Sequence, residues 1–588
     1  MISRVSAIAS TKVSALSKLS AFSLIAAIVL TGCGGTGNLT TPGTIVTPAT
    51  PVAVAPSTAI KHIVVIFGEN ISFDHYFGTY PNALNVGAGT TFTPAAGTPT
   101  NINNYVSNPT LLNVNPNENP VNITATNYFT PNPFRLGPAQ AGTGDQDHNY
   151  GPEQVAFDNG KMDLFPFSVG TADGTALTNE TAAPGIANTT ALTMGYFDGN
   201  TVTAIWNYAQ HYSLNDHSFG TTFGASTQGA INLASGQTNG ATVIQSGAQS
   251  GVVADGQGGY TLIGDEDPAY DVCSSSSATV QMTGKNIGDL LNTAGISWGF
   301  FEGGFNLSIT NSNGSTSCVA GEGAPSRSTA AVNIPGNPVK ADYIPHHQPF
   351  QYYASTANPT HIRPASTAVI GTAADTGATT ANHQYDTLDF NTALAAGNMP
   401  AVSFLKAPGF QDGHAGYSDP LDEQTFVVNE INAIEASPFW SSTAIIIAYD
   451  DSDGWYDHAS DFVNGSQSAA DALTGTGSGF CNSAPTLGGV TTTSPVQGRC
   501  GHGPRLPLLV ISPYAKKNYV DNTLTDQASV TRFIEDIFLG STRIGGGSYD
   551  ATAGTLMNMF NFTTTSGAAP NPNVVQLNPT TGAVTSGN

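Results

Sequence analysis

Three continuous apolar runs constrain the fold of this chain more than any other feature of its sequence. They are Ile63–Phe67 (IVVIF), Ala444–Ala448 (AIIIA) and Leu508–Ile511 (LLVI). Strands that are covered on both faces are apolar throughout, as in a parallel sheet between layers of helices. Helical patterns occur between the runs, at 202–211, 284–294 and 421–437, and after them at 529–538. The sequence therefore predicts one large α/β domain in which long insertions separate the core strands.

Both ends of the chain are predicted to lie outside this domain. Basic residues precede a short apolar stretch, 21–30, which is typical of a bacterial export signal and too short for a comfortable transmembrane helix. Leu30–Cys33 (LTGC) resembles the lipobox of bacterial lipoproteins, which implies a lipid on Cys33 and a membrane partner in the periplasm or cell envelope. An ordinary signal peptide with a chance cysteine is the alternative. The predicted segments are a signal peptide (1–32), a flexible Thr/Pro/Ala tether (33–58), a folded domain (59–563) and a disordered tail (564–588).

The remaining cysteines predict disulfide bonds. If Cys33 carries a lipid, four cysteines are left in a chain bound for an oxidising compartment. Pairing of sequence neighbours, Cys273 with Cys318 and Cys481 with Cys500, is the simplest of the three possible connectivities. Neither pair has the close spacing of a zinc site or a redox motif, so we expect both to staple loops.

The net charge of −24 excludes one class of partner. Proteins that bind nucleic acids present a basic surface, so we expect no nucleic-acid partner. The same charge repels phosphate at long range. A phosphate-binding site in this chain must therefore be locally positive, through metal ions or helix N-termini.

Polar side chains follow two of the apolar runs. Glu69 and Asn70 come just after the first run, and Asp450 and Asp451 come just after the second. Ligands of open α/β sheets bind at the carboxyl ends of the strands, and carboxylate and amide oxygens suit hard divalent cations. The sequence predicts a metal site there without identifying the ion. The alternative for each acid alone is a helix cap or a solvated side chain.

Three blocks of sequence carry a resemblance to a known family. They are Ile60–Gly78 (IKHIVVIFGENISFDHYFG), Ala444–His458 (AIIIAYDDSDGWYDH) and Leu506–Gly540, a strand–turn–helix block. Together they resemble the bacterial phosphoesterase family of phospholipases C and acid phosphatases, over nearly all of 60–540. The resemblance implies an alkaline-phosphatase-like α/β fold, a three-layer sandwich with a central, mostly parallel sheet, helices on both faces and long loop insertions. It also implies a metal-dependent phosphoric ester hydrolase.

The resemblance implies a serine nucleophile. Aligned on Phe219 and Gly224, Ser226 takes the nucleophile's position, and Thr227 is its rival. A helix expected over 228–234 would set the hydroxyl at a helix N-terminus, where free N–H groups and the helix dipole favour phosphate. As the alternative, Ser226 only caps this helix. The segment lacks the closing glycine of a GxSxG elbow, and activation by a metal would make a catalytic triad unnecessary.

Four histidines occupy positions where the family has active-site histidines. The resemblance implies that they hydrogen-bond phosphate oxygens or protonate the leaving alkoxide, which suits a pKa near neutral. The alternative for any single histidine is a structural role. The four are His148, His346, His347 and His414.

Two departures from the family favour one substrate class. Asp526–Ser529 lacks the histidine that many relatives carry, and Ala230 replaces a basic side chain found in phospholipase-type relatives. The sequence therefore favours phosphate monoesters, cleaved through a phosphoserine, over the diesters of phospholipids that a phospholipase C cleaves. A non-catalytic surface lipoprotein is the alternative from another class.

The acidic run Asp265–Asp267 is interpreted as a solvated loop, because Pro268 follows it.

Overall fold

The computed structural model of the protein describes most of the chain after residue 50. The ranges are 51–85, 91–118, 132–170, 190–245, 251–255, 258–269, 271–274, 279–309, 318, 341–461, 496–565, 569–572 and 574–587. The predicted signal peptide, Cys33 and the tether up to residue 50 lie outside these ranges, as does Cys481.

An eight-stranded sheet forms the centre of the fold. Its strands, in chain order, are β1 (His62–Gly68), β2 (Ser213–Asn215), β3 (Trp298–Glu302), β4 (Gln384–Tyr385), β5 (Val402–Lys406), β6 (Thr443–Tyr449), β7 (Leu508–Ile511) and β8 (Tyr519–Asp521). Their spatial order is β4-β3-β5-β1-β6-β7-β2-β8. Only β7 pairs antiparallel with its neighbours in this sheet, and the other pairs are parallel.

The three apolar runs form β1, β6 and β7, as predicted. Every residue of β3, β5, β6 and β7 is buried, which requires cover on both faces of the sheet. Continuous burial explains why these strands lack the alternation of a half-exposed sheet. The predicted α/β fold with a mostly parallel central sheet is confirmed.

The described residues form ten α-helices. They are α1 (Pro56–Ala59), α2 (Phe73–Phe77), α3 (Tyr150–Phe157), α4 (Phe165–Ser168), α5 (Thr203–His211), α6 (Ser226–Ser235), α7 (Ile287–Ala294), α8 (Thr387–Ala395), α9 (Pro420–Glu435) and α10 (Gln527–Phe538). The four predicted helical segments correspond to α5, α7, α9 and α10. Within the described ranges, no helix has both the length and the apolar character needed to cross a bilayer.

Smaller sheets surround the central one. A five-stranded sheet follows α6 in the chain. Its strands, in spatial order, are Asp267–Pro268, Thr279–Met282, Asn239–Gln245, Tyr260–Leu262 and Val252–Ala254. The first of these strands begins with Asp267, the last residue of the acidic run. Two-stranded pairs join Phe134–Leu136 to Gly195–Phe197 and Ser218–Phe219 to Thr525–Asp526.

Paired segments extend beyond the predicted limits of the domain at both ends. Pro51–Ala53, placed in the tether, pairs antiparallel with Thr563–Thr565. Within the predicted tail, Gln576–Leu577 pairs with Val584–Ser586, and Leu577 is buried. The Asn432 side chain in α9 donates to the Leu577 carbonyl oxygen at 2.8 Å. The Thr/Pro/Gly composition of these two segments does not indicate the backbone pairing and the few apolar side chains that hold the segments to the core.

The disulfide prediction is confirmed for one pair. Cys273 and Cys318 are bonded to each other. Cys500 is also disulfide-bonded. Its predicted partner, Cys481, lies outside the described residues.

Candidate active site

Two adjacent parallel strands bring the predicted metal ligands together. Gly68 at the end of β1 is in register with Tyr449 at the end of β6, so the residues that follow them leave the sheet side by side. The backbone N–H groups of Asn70 and Asp451 both donate to Asp450 Oδ1, each at 2.8 Å. This shared acceptor locks the two strand ends into one unit.

The side-chain amide of Asn70 is oriented by a neighbouring carboxylate. Its Nδ2 donates to Asp453 Oδ1 at 3.0 Å, which turns Oδ1 of the amide towards Ser226. Asn70 has φ of 59°, a left-handed conformation that asparagine tolerates better than most residues. The backbone turn and the amide contact together present an oxygen to the site.

Ser226 lies at the first position of α6, with its hydroxyl inside this oxygen cluster. Its Oγ is 3.2 Å from Glu69 Oε2, 3.2 Å from Asn70 Oδ1 and 3.1 Å from Asp451 Oδ2. One hydroxyl has one proton and can donate to only one of three acceptors at a time. The structure thus brings Ser226 and the four predicted metal ligands into one buried site.

The donor set of this site fits a hard divalent cation. The atoms that surround Ser226 Oγ are carboxylate and amide oxygens, which are ligands of Mg²⁺, Ca²⁺ or Mn²⁺. The Lys406 ammonium and the His347 ring also face Glu69. Asp450 Oδ2 is buried and accepts no hydrogen bond from the described residues. Such an orphaned oxygen is available to a cation.

Lys406 is a member of the site that the sequence reasoning missed. It ends β5, the strand beside β1, and its Nζ forms an ion pair with Glu69 Oε1 and lies 3.8 Å from Asp450 Oδ2. Its side chain is only 1% exposed. Burial alone would lower the pKa of Lys406, but the charges of Glu69 and Asp450 outweigh burial and raise it. The strand-end rule that found Glu69 would also have found this lysine.

Burial dominates the electrostatics of the acids. Desolvation, followed by the charge of Asp450, raises the pKa of Glu69 well above its usual value, although Lys406 opposes the shift. Desolvation also raises the pKa of Asp451 well above its usual value, against the opposing charge of His148. Without a cation, these carboxyl groups therefore hold protons at a pH where free carboxyl groups are ionised.

The four predicted histidines lie at or beside the acid cluster. His347 Nδ1 is 3.2 Å from Glu69 Oε1, and His148 Nδ1 is 3.4 Å from Asp453 Oδ1. The ring centroids of His148 and His414 are 6.2 Å apart, and those of His346 and His347 are 4.7 Å apart. Burial would lower the pKa of His148, but the surrounding carboxylates, Asp451 first, raise it well above its usual value. This shift favours the charged form of the imidazole.

The Nδ1 atoms of His148 and His414 face backbone carbonyl oxygens, of Gln146 at 2.8 Å and Ala415 at 2.5 Å. A carbonyl partner fixes the proton on Nδ1 and orients each ring. His346 differs from these two, since its Nδ1 lies 3.3 Å from Asp267 Oδ1 in the acidic run.

The interpretation of the acidic run as a solvated loop holds only in part. Asp265 is exposed, whereas Glu266 is buried and Asp267 lies in a strand. Asp265 Oδ1 accepts hydrogen bonds from the Thr227 backbone N–H at 3.0 Å and from Thr227 Oγ1 at 2.8 Å. The expectation of free N–H groups at the start of α6 is wrong for Thr227, because Asp265 takes that donor. The Thr227 hydroxyl faces Asp265, whereas the Ser226 hydroxyl faces the acid cluster.

A buried arginine, also missed, lies just before the third block of the family resemblance and joins the first two blocks. Arg505 contacts Asp457 through Nε and Nη2 at 3.1 Å and Asp74 Oδ1 through Nη2 at 3.1 Å. The His458 backbone N–H and ring also contact Asp74. This network braces the loops that follow β1 and β6.

The family model of the phosphoesterase family matches residues 60–539. The chain belongs to the phosphoesterase family. The matched range includes the first two sequence blocks, all but the last residue of the third, and each strand of the central sheet. The resemblance drawn from the sequence is therefore confirmed, and the eight-stranded, mostly parallel sheet is the alkaline-phosphatase-like arrangement that it implied.

Parts of this phosphoesterase are similar to proteins named phospholipase C. Identity is 31% over 158 residues with the non-hemolytic phospholipase C of Pseudomonas aeruginosa, covering 25% of this chain and 21% of that protein. It is 30% over 182 residues with its counterpart in Burkholderia pseudomallei, covering 30% and 24%. It is 27% over 192 residues with phospholipase C B of Mycobacterium tuberculosis, covering 32% and 34%. The chain thus spans between a fifth and about a third of the length of these relatives.

The buried pair of Lys406 and Glu69 generates a stability prediction. Lys406→Met removes the cation and leaves a carboxyl group buried without its partner, so the free energy of unfolding of the metal-free protein should fall by about 3 kcal/mol. Chemical denaturation in the presence of a chelator measures this. Lys161→Met is the matched control, because Lys161 pairs with Asp158 at the surface and is 58% exposed; its loss should leave the free energy of unfolding nearly unchanged, because solvent screens an exposed pair. Equal losses for the two variants would contradict the prediction.

Proposed function

We propose that this protein hydrolyses phosphate esters with Ser226 as the nucleophile. The observation that carries the proposal is the ring of three acceptor oxygens, 3.1–3.2 Å from Ser226 Oγ. A serine that only caps a helix bonds to the first turn of that helix. The Ser226 hydroxyl faces instead two strand ends that lie far from it in the chain.

A divalent cation is the proposed cofactor, held by Glu69, Asn70, Asp450 and Asp451. When bound, it would lower the pKa of the Ser226 hydroxyl and offset negative charge on the phosphate oxygens. The orphaned Asp450 Oδ2 and the raised pKa values of Glu69 and Asp451 support a site built for a positive charge.

The proposed reaction has two steps on the protein's own groups. Ser226 Oγ attacks phosphorus as its proton passes to a neighbouring acceptor, and Asp451 Oδ2, 3.1 Å away, is within reach. The P–O bond to the alcohol breaks and leaves a phosphoserine. Water then attacks the phosphoserine, the bond between phosphorus and Oγ breaks, and phosphate leaves. Both transition states concentrate negative charge on phosphate oxygens. Positively charged groups near these oxygens therefore stabilise the transition states most.

The proposed roles of the histidines follow from their charge and position. His148 is favoured for a contact to a phosphate oxygen, because the surrounding acids raise its pKa and so favour its charged form. His414 lies beside it, and His347 lies beside Glu69. Each of these three is a candidate to give a proton to the leaving alkoxide. His346 packs against the ring of His347 and contacts Asp267, so its proposed role is exerted from the edge of the acid cluster.

Phosphate monoesters are the proposed substrates, because a basic side chain is missing at Ala230. The names of the relatives favour a second candidate, a phospholipase C that cleaves phosphodiesters.

The deciding experiment compares p-nitrophenyl phosphate with p-nitrophenyl phosphorylcholine across acid and neutral pH, with and without chelator. A higher kcat/KM for the first supports the monoesterase, a higher value for the second supports the phospholipase C, and turnover of neither refutes both.

Export as a lipoprotein is also part of the proposal. The LTGC sequence ending at Cys33 and the uncharged segment after it support a lipid anchor in the cell envelope. The disulfide between Cys273 and Cys318 fits an oxidising compartment.

Replacement of Ser226 tests the nucleophile. Ser226→Ala should lower kcat by about 10⁴-fold or more while the fold is retained, because the attacking atom is lost. Thr227→Val is the matched control: it removes the neighbouring hydroxyl, which contacts Asp265, and should keep kcat within about tenfold of the wild type. Steady-state kinetics with p-nitrophenyl phosphate measures both. An active Ser226→Ala beside an inactive Thr227→Val would show that Thr227 is the nucleophile.

Replacement of Asp450 tests the cation. Asp450→Asn keeps an oxygen for the N–H groups of Asn70 and Asp451 but removes one of the clustered charges, whose repulsion is about 1 kcal/mol per pair in water and larger in a dry cleft. Bound metal and activity should both be lost, while the metal-free variant melts no lower than the metal-free wild type. Elemental analysis and thermal melts measure this, and Asp536→Asn, a surface acid paired with Arg543, is the control. Full wild-type activity after exhaustive chelation would contradict the metal-dependent mechanism.

A further inference from the structure

We infer that Glu153 is a positioning residue that fixes the loop before Ser226 to the loop after Asp451; this inference rests on the proposed function of those residues. Glu153 belongs to α3 and is 2% exposed. Among the described residues, its hydrogen bonds go to Gly224 and Ser452 rather than to Ser226 or the four proposed metal ligands. Its charge also helps to raise the pKa of Asp451, so the test has to separate this electrostatic effect from the geometric one through a readout other than activity.

Each carboxylate oxygen of Glu153 binds one loop. Oε2 accepts the backbone N–H of Gly224 at 2.8 Å, two residues before Ser226. Oε1 accepts the Ser452 hydroxyl at 2.6 Å, one residue after Asp451. The Ser452 Oγ in turn accepts the Gly454 backbone N–H at 3.0 Å, which extends the contact along the second loop.

These contacts close a ring around the reacting atom. From Glu153 the path runs through Gly224 to Ser226, across the 3.1 Å contact to Asp451, and back through Ser452. Gly224 has φ of 116°, a conformation that glycine adopts readily and that side chains disfavour, so the turn before Ser226 requires glycine at this position. A single side chain on α3 thus sets the distance between nucleophile and acid.

The chemistry of the ring explains why a carboxylate occupies this position. Both partners are donors, and an ionised carboxylate accepts from both, whereas an amide presents an N–H to one of them. Charge-assisted hydrogen bonds are stronger than neutral ones and offset part of the cost of burial. Burial nonetheless raises the pKa of Glu153 to about 7, and the bonds from Ser452 and Gly224 oppose the shift. Burial of the Glu153 carboxyl group costs free energy. Its position beside the site is therefore explained better by the geometry that it imposes on the two loops than by a contribution to the overall stability of the fold.

The test compares two substitutions of Glu153 with a matched control. Glu153→Ala removes both acceptors, and Glu153→Gln leaves one. Glu430→Gln makes the same chemical change at a buried carboxylate in α9, where it accepts only from Asn391 at 2.9 Å. A displacement of about 1 Å at a reacting group lowers rates about 100-fold. We expect kcat for p-nitrophenyl phosphate to fall about 100-fold in Glu153→Ala and about tenfold in Glu153→Gln. KM should stay within about threefold, and Glu430→Gln should keep wild-type kcat.

A second readout does not depend on activity. Hydrogen–deuterium exchange of the full-length protein should accelerate in peptides covering 220–226 and 451–455 in both Glu153 variants, and elsewhere should match the wild type. A kcat that falls only in proportion to the folded fraction, with exchange rising throughout the chain, would overturn the inference in favour of a general structural role. Wild-type kcat and exchange in Glu153→Ala would also overturn it. If the wild-type protein turns over no phosphate ester, the proposed function fails, whereas the local change in exchange would still support the link between the loops.

Discussion

The mutual repulsion of buried carboxylates is the constraint on which the rest of the site depends. Glu69, Asp450 and Asp451 meet because β1 and β6 are adjacent, parallel and in register to their last residues. Each of the three is at most 4% exposed, so water screens their charges poorly. Positive charge is needed to hold them ionised together. Lys406 supplies one unit of it, and the proposed divalent cation supplies the remainder.

This constraint also bears on the proposed phosphate site in a protein of net charge −24. Long-range repulsion of phosphate has to be overcome within the cleft, and the backbone N–H of Thr227 at the start of α6 does not contribute, because Asp265 accepts from it. Lys406, the proposed cation and His148 are the candidate sources of local positive charge, since the surrounding carboxylates raise the pKa of His148. The acids that repel phosphate thus also attract the positive charge that the proposed site needs.

Patterns within single segments predicted the parts of the fold and the site that depend on such patterns. Apolar runs predicted β1, β6 and β7, and the strand-end rule predicted that Glu69 and Asp450 lie close together. Lys406 was missed because its strand, VSFLK, contains a serine and ends in a charge, so it is not a continuous apolar run. Contacts of Glu153 with Gly224 and of Asp265 with Thr227 span 71 and 38 residues, and no periodicity encodes such contacts. At the C-terminus, backbone pairing and the buried side chains of Val575 and Leu577 hold a segment whose composition does not indicate such contacts.

The central claim is that Ser226 carries the phosphoryl group between the two steps, and a trapped intermediate tests it most directly. Enzyme mixed with p-nitrophenyl phosphate is quenched in acid within the first turnover, digested and analysed by mass spectrometry. The account predicts one added phosphoryl group on the peptide that contains Ser226, with fragment ions placing it on that residue. A phosphoryl group on Thr227 or on a histidine, or release of p-nitrophenol with no phosphorylated peptide at any quench time, would contradict it.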